Sequence, residues 1–149
     1  VSYQLIRQLK AVREEYDTAR AALAFTKRQW PVVHAEPELQ GGTFRALERT
    51  VENLEATYIA RLFAEFEAVL RRHYAHVRPG RRIPGSDGLI NGLGAHYRIP
   101  AEQREQAHRV RRFRHSVAHA DPGPDLVPFV DALSWLNQFL SFIPDQDVP

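Results

Sequence analysis

Cysteine and methionine are both absent from the 149 residues. Without cysteine there is no disulfide framework, no thiolate metal site and no cysteine nucleophile. Lysine is nearly missing as well, with only Lys10 and Lys27. No apolar run approaches the roughly 18 residues that span a bilayer, so no membrane association is expected. The opening residues Val1-Ser2-Tyr3-Gln4 have neither a basic leader nor an apolar core, so no signal peptide is expected. No stretch of strand length alternates apolar and polar residues, and no internal repeat is visible. What is present is an ordinary globular mixture, 44% hydrophobic and 26% charged, which argues against disorder along the whole chain. The expectation is one soluble, cytoplasmic domain over residues 1–149, long enough to bury a core.

The formal net charge of +2 hides a gradient. Residues 1–70 hold 9 Lys+Arg and 10 acids. Residues 71–119 hold 11 Arg against 3 acids (Asp87, Glu102 and Glu105), a local net of +8, together with 6 of the 7 His. Residues 120–149 hold 5 Asp and no base. A basic, His-rich block inside a nearly neutral chain suits an anionic partner such as RNA, DNA or a nucleotide. Arg71, Arg72, Arg81, Arg82 and Arg111 are the cations expected to follow a nucleic-acid backbone. The competing reading is a solvated arginine face.

Helical periodicity runs through most of the chain. Between Ser2 and Trp30, Leu5, Leu9, Val12, Tyr16, Ala19 and Leu23 recur at alternating steps of four and three, one near-heptad stripe suited to bundle or dimer packing. Pro31, Pro37, Gly41 and Gly42 break the pattern, and Thr43 is an expected N-cap. A second long helix follows from Phe44 to about Val77, through Leu47, Val51, Leu54, Tyr58, Leu62, Phe66, Val69 and Leu70. A Pro- and Gly-rich loop is expected over residues 78–88, then a short helix from Leu89 to Tyr97. Pro100 suits the first turn of a third main helix ending near His119. Asp125 is expected to cap the last helix, whose apolar face would comprise Leu126, Phe129, Val130, Leu133, Leu136, Phe139, Leu140 and Ile143. The fold class is all-α: four main helices and one short one in an up-down bundle.

Chemistry concentrates in Arg111-Arg112-Phe113-Arg114-His115-Ser116-Val117-Ala118-His119. Arginine offers a permanent charge and a planar donor fork that matches phosphate. Histidine transfers protons in both directions near neutral pH. Together at one helix end they make a phosphate clamp beside a general acid or base. Arg114 and His119 are five residues apart, about 140° around an ideal helix, so their convergence requires the last turn to loosen. His115 and His119, four apart, share a face and could share a Zn ion with His73 or His76, although no motif places a third ligand. Cations at a helix C-terminus also favour the helix dipole, which is the structural alternative. Glu67 is a candidate acidic partner for Arg114 or His119, with a solvated or salt-bridged Glu as its alternative. Gly92 and Gly94 make no phosphate loop, because neither a strand nor a Lys-Ser/Thr accompanies them.

Arg114-His115-Ser116-Val117-Ala118-His119 resembles the Arg-x4-6-His signature of the HEPN superfamily, the higher eukaryotes and prokaryotes nucleotide-binding domains. In that family the motif ends a late helix of an all-α bundle, with a turn and a final apolar helix after it. Residues 100–124 correspond to this motif region. The polar position after the Arg is His115 here, where Asn is commonest in active members. The resemblance implies a metal-independent endoribonuclease without cofactor, of the kind found as toxins or effectors in toxin–antitoxin and other defence systems. It implies a homodimer in which two motif helices build one cleft, with RNA as substrate and an antitoxin or companion defence protein as partner. Arg114 and His119 would be catalytic, with His115, Ser116 and Glu67 in support. The alternative is a non-catalytic HEPN-like module that binds nucleotide, RNA or a protein partner.

Overall fold

The computed structural model describes residues 3–119 and 126–144. Among these residues every regular element is helical, in the order α1 (Tyr3–Arg28), α2 (Trp30–Val33), a 3-10 turn (Pro37–Leu39), α3 (Phe44–Val77), α4 (Ser86–His96), α5 (Ala101–His119) and α6 (Phe129–Ser141). The four main helices and the short one stand where periodicity puts them. One further single-turn helix, α2, sits in the expected break.

Local chemistry accounts for most of the boundaries. α1 stops at Arg28 because Pro31 has no N–H to continue the ladder, and the same Pro opens α2. Thr43 caps α3, its hydroxyl accepting from the Ala46 N–H at 3.0 Å. α4 starts at Ser86, three residues earlier than expected, which shortens the preceding loop. It ends in a Schellman pair, with the Ile99 N–H on the Gly94 carbonyl at 2.8 Å and the Arg98 N–H on that of Ala95 at 3.3 Å. Arg98 takes the left-handed conformation (φ 54°) that glycine usually fills.

Side-chain pairs give the helix directions. Gln8 meets Arg72, Glu15 meets Arg61, Tyr16 meets Tyr58 and Lys27 meets Glu48, so α1 and α3 are antiparallel. Asp87 meets Arg111, Asn91 meets His108 and Gly94 faces Arg104, so α4 and α5 are antiparallel as well. α6 runs along α3 in the same direction, since Glu55 meets Phe129 and Phe66 meets Phe139.

The core lies at one end of this assembly. On α3 it takes Ile59, Leu62, Phe63, Phe66, Val69 and Leu70, and on α1 Leu9, Val12 and Tyr16. α4 adds Leu89, Ile90 and Leu93, α5 adds Ala107, Val110 and Phe113, and α6 adds Phe129, Ala132, Leu136, Phe139 and Leu140. Phe66 and Phe139 meet edge to face at 5.4 Å, and Tyr16 stacks on Phe129 at 4.1 Å. Beyond Tyr16 and before Ile59, α1 and α3 continue as a two-helix arm. Ala19, Leu23 and Leu54 are only half-buried there, and Phe44 and Val51 are exposed. The uniform stripes expected on both helices are therefore core at one end and arm at the other, because α6 is 13 residues long and α3 is 34. The face expected of α6 is also narrower: Leu126 and Val130 are exposed at 89% and 72%. Asp125 and the side chain of Leu5 lie outside the described residues. α6 begins at Phe129, and its first N–H donates to the Glu55 carboxylate of α3 at 2.7 Å.

Candidate functional site at the end of α5

α5 is a polar helix with a thin apolar edge. Ala107, Val110 and Phe113 turn inward at steps of three, so Arg111, Arg114 and His115 share another face at i, i+3 and i+4. Arg114 and His115 are exposed. The Arg114 guanidinium lies 5.9 Å from the ring centroid of the buried Phe63, so its charge rests on the aromatic face of α3 while staying open to solvent. This places the motif at the shoulder where the bundle ends and the arm begins. Val117 is 41% exposed beside it.

The backbone stays helical through His119. The loosened last turn that would bring Arg114 and His119 together within one chain is not formed, and their positions remain about 140° apart. The side chain of His119 lies outside the described residues. Ser116 faces inward: it is buried, and its hydroxyl donates to the Phe113 carbonyl at 2.8 Å, a local bond within the helix. It is therefore not presented to a ligand beside Arg114. Glu67 accepts two hydrogen bonds from Arg71, at 2.7 and 3.1 Å, so its carboxylate is committed within α3. It stands one turn from Phe63 on the same helix and so remains near the place where Arg114 rests.

The arginines expected on an RNA path divide into two groups. Arg71 is paired with Glu67, Arg72 donates to the Gln8 side chain at 2.8 Å, and Arg111 lies 3.4 Å from Asp87. Arg81 and Arg82 are exposed in the segment 78–85 before α4. Arg112, on the same stretch as the motif, is bound to Glu105 at 2.5 Å, and that hydrogen bond holds the Glu105 carboxyl below the ordinary carboxylate range. His73 is buried in the core, and no group of three or more His, Asp or Glu among the described residues is placed to hold a metal ion.

Two shallow clefts lie away from the motif. One of about 310 Å³ is lined by Ile6, Lys10, Arg13, Leu133 and Asn137, and one of about 490 Å³ runs over Ala11, Thr18, Ala22 and Tyr58.

Sequence reasoning missed a polar cluster between α4 and α5. The Asn91 amide donates to Asp87 Oδ2 at 3.3 Å, and His108 Nε2 lies 3.1 Å from Asn91 Oδ1. His108 Nδ1 lies 3.6 Å from Asp87 Oδ1, the same oxygen that Arg111 approaches. Burial pushes the pKa of His108 down, against the opposing pull of Asp87. The signal available in the sequence was Asp87 and Asn91 four apart on one helix, with His108 and Arg111 three apart on the next. No family model, curated protein or solved structure matches this chain.

Proposed function

We propose that the chain is a metal-independent endoribonuclease of HEPN type that acts as a homodimer. The observation that carries this reading is the exposed Arg114–His115 pair on the last turns of α5, with the uncovered Val117 beside it on the same helix, and Leu126 and Val130 as further uncovered apolar side chains. Uncovered apolar side chains next to a cationic face suit a surface that closes on a second copy. The 140° offset of Arg114 and His119 then becomes an advantage, because the Arg of one subunit and the His of the other can approach the same phosphate across the two-fold axis. In this mechanism the RNA 2′-hydroxyl attacks the adjacent phosphorus and the 5′-oxygen leaves, giving a cyclic phosphate. His119 transfers the proton, and Arg114 stabilises the charge that develops on the phosphoryl oxygens. A toxin or defence effector held by an antitoxin or companion protein is the biological setting that this activity fits.

The unbroken helix through His119 favours a second reading, a non-catalytic module that binds RNA or a nucleotide on the Arg114–His115 face. One pair of measurements separates the two. With the nuclease, His119→Ala lowers cleavage by about 10²–10⁴ while RNA binding persists, since it removes a proton-transfer group. Arg114→Ala weakens binding and cleavage together, and Arg114→Lys restores little because an ammonium lacks the planar fork. Cleavage should persist in EDTA and spare DNA, which has no 2′-hydroxyl. Wild-type cleavage by His119→Ala removes the catalytic assignment. A monomer at micromolar concentration by light scattering removes the shared cleft.

A further inference from the structure

The α4–α5 cluster is wired in one sense only. A carboxylate accepts and cannot donate, so the Asn91 amide nitrogen must face Asp87 Oδ2 and its oxygen must face His108. His108 therefore donates from Nε2, and the neutral ring presents a lone pair at Nδ1. That lone pair faces Asp87 Oδ1 at 3.6 Å without a hydrogen bond, and Nδ1 is buried with no other partner. The same Oδ1 holds Arg111 at 3.4 Å, and the Arg111 Nε is likewise buried and unpartnered. The side chains differ in their access to water: His108 is 11% exposed, Arg111 30% and Asp87 62%.

We propose that Asp87 is a positioning residue for Arg111, and that protonation of His108 at Nδ1 transfers the carboxylate from Arg111 to the imidazolium, releasing the guanidinium to the phosphates of bound RNA. Uptake of one proton makes Nδ1 a donor aimed at Oδ1. Two cations beside one oxygen repel each other, and only Arg111 has solvent to move into. The released group lies one turn before Arg114 and His115 on their own face, so it adds a cation to the motif surface. The charged groups acting on His108 are Asp87 from α4 and Glu105, Arg111 and Arg112 from α5 itself. Burial keeps the ring neutral until the pH falls below the ordinary histidine range. The inference rests on reading this face as an RNA-binding surface.

The test measures what Arg111 contributes at two pH values. A fluorescent single-stranded 2′-O-methyl oligonucleotide, which cannot be cut by 2′-hydroxyl attack, is titrated at pH 5 and pH 8 over a series of salt concentrations. Arg111→Gln should change nothing at pH 8. At pH 5 it should make the slope of log affinity against log salt shallower by about 0.7, the loss of one phosphate contact to a single strand. In a His108→Gln background that loss should be absent at both pH values, and in an Asp87→Asn background it should be present at both. An equal effect of Arg111→Gln at pH 5 and pH 8 in the wild-type background overturns the proposal. If the oligonucleotide binds at neither pH, the RNA reading of the face falls, and nitrogen-15 NMR of the intact protein still decides the switch. The Arg111 Nε–H resonance should shift with the same midpoint as proton uptake at His108, and Asp87→Asn should abolish that coupling. An Arg111 resonance that stays still while His108 titrates refutes the transfer.

Discussion

Gly92 and Gly94 sit two residues apart in α4, and alanine at each should change stability in opposite directions. Both are helical, so each alanine gains about 0.5–1 kcal/mol by restricting the unfolded chain and favouring helix. What the new methyl group meets differs. At Gly92 its nearest neighbour is the Tyr74 ring at 3.5 Å, an ordinary contact, so the gain should survive. At Gly94 a Cβ would fall 2.4 Å from Arg104 Cδ and 3.0 Å from Cγ, because the Arg104 stem crosses α4 at this point. Atoms cannot stay that close. Either α4 lifts from α5 or Arg104 leaves its track, and overpacking of this kind costs about 1–3 kcal/mol. Gly92→Ala should therefore gain about 0.5–1 kcal/mol and Gly94→Ala should lose up to about 2 kcal/mol. For a chain of this length the two melting temperatures should differ by roughly 3–9 °C. Thermal melts by circular dichroism measure the difference. Arg104→Ala in the Gly94→Ala background removes the obstruction and should recover most of the deficit. A Gly94→Ala protein as stable as Gly92→Ala, or a deficit that persists without the Arg104 stem, refutes the packing argument.

Glu55→Ala removes the only side-chain acceptor described at the start of α6 and should cost about 1–2 kcal/mol in chemical denaturation, with Glu55→Gln losing less because it keeps an acceptor without the charge. Arg98→Gly should stabilise by about 1 kcal/mol, since glycine takes a positive φ without steric cost; a less stable protein would show that the Arg98 side chain holds the α4–α5 turn. Because burial depresses the pKa of His108, the unfolded chain binds the extra proton first. Stability from this group should be complete above the ordinary histidine range, decline as pH falls from that range towards the depressed value and level off below it, and His108→Gln should flatten the profile below about pH 6.5, the ordinary histidine value. A melting temperature that rises on acidification from pH 7 to pH 5 in the wild type, and not in the variant, would reverse the sign.

Elements were legible in the sequence where their signals are local. Thr43 marks the start of α3 and Pro100 that of α5, because a cap and a missing N–H act within one turn of the residue that supplies them. The start of α6 was not legible, since its acceptor, Glu55, lies 74 residues away on α3. The end of α4 was placed to within one residue, even though Arg98 occupies the left-handed position where a glycine would have announced the stop. Periodicity located the apolar faces of α1 and α3, but it carries no information on how far a partner helix extends along them. The two-helix arm therefore could not be separated from the core.

The same distinction between local pattern and spatial partner governs the candidate site. A net charge of +8 over residues 71–119 treats every arginine as available to an anion. In the folded chain Arg71 is turned to Glu67, Arg112 to Glu105 and Arg111 to Asp87. The first two pairs lie on one helix and could be suspected from their spacing. The third joins two helices and requires the antiparallel packing of α4 on α5 that Gly94 permits. Arg114 differs from all three, because the Phe63 ring supports its guanidinium without neutralising its charge. A cation perched on an aromatic ring keeps its field for an incoming phosphate, whereas a cation paired with a carboxylate must first lose its partner. Within this block Arg114 and the exposed Arg81 and Arg82 are therefore among the cations that can answer an anion at neutral pH. Arg111 joins them only when Asp87 is drawn to His108.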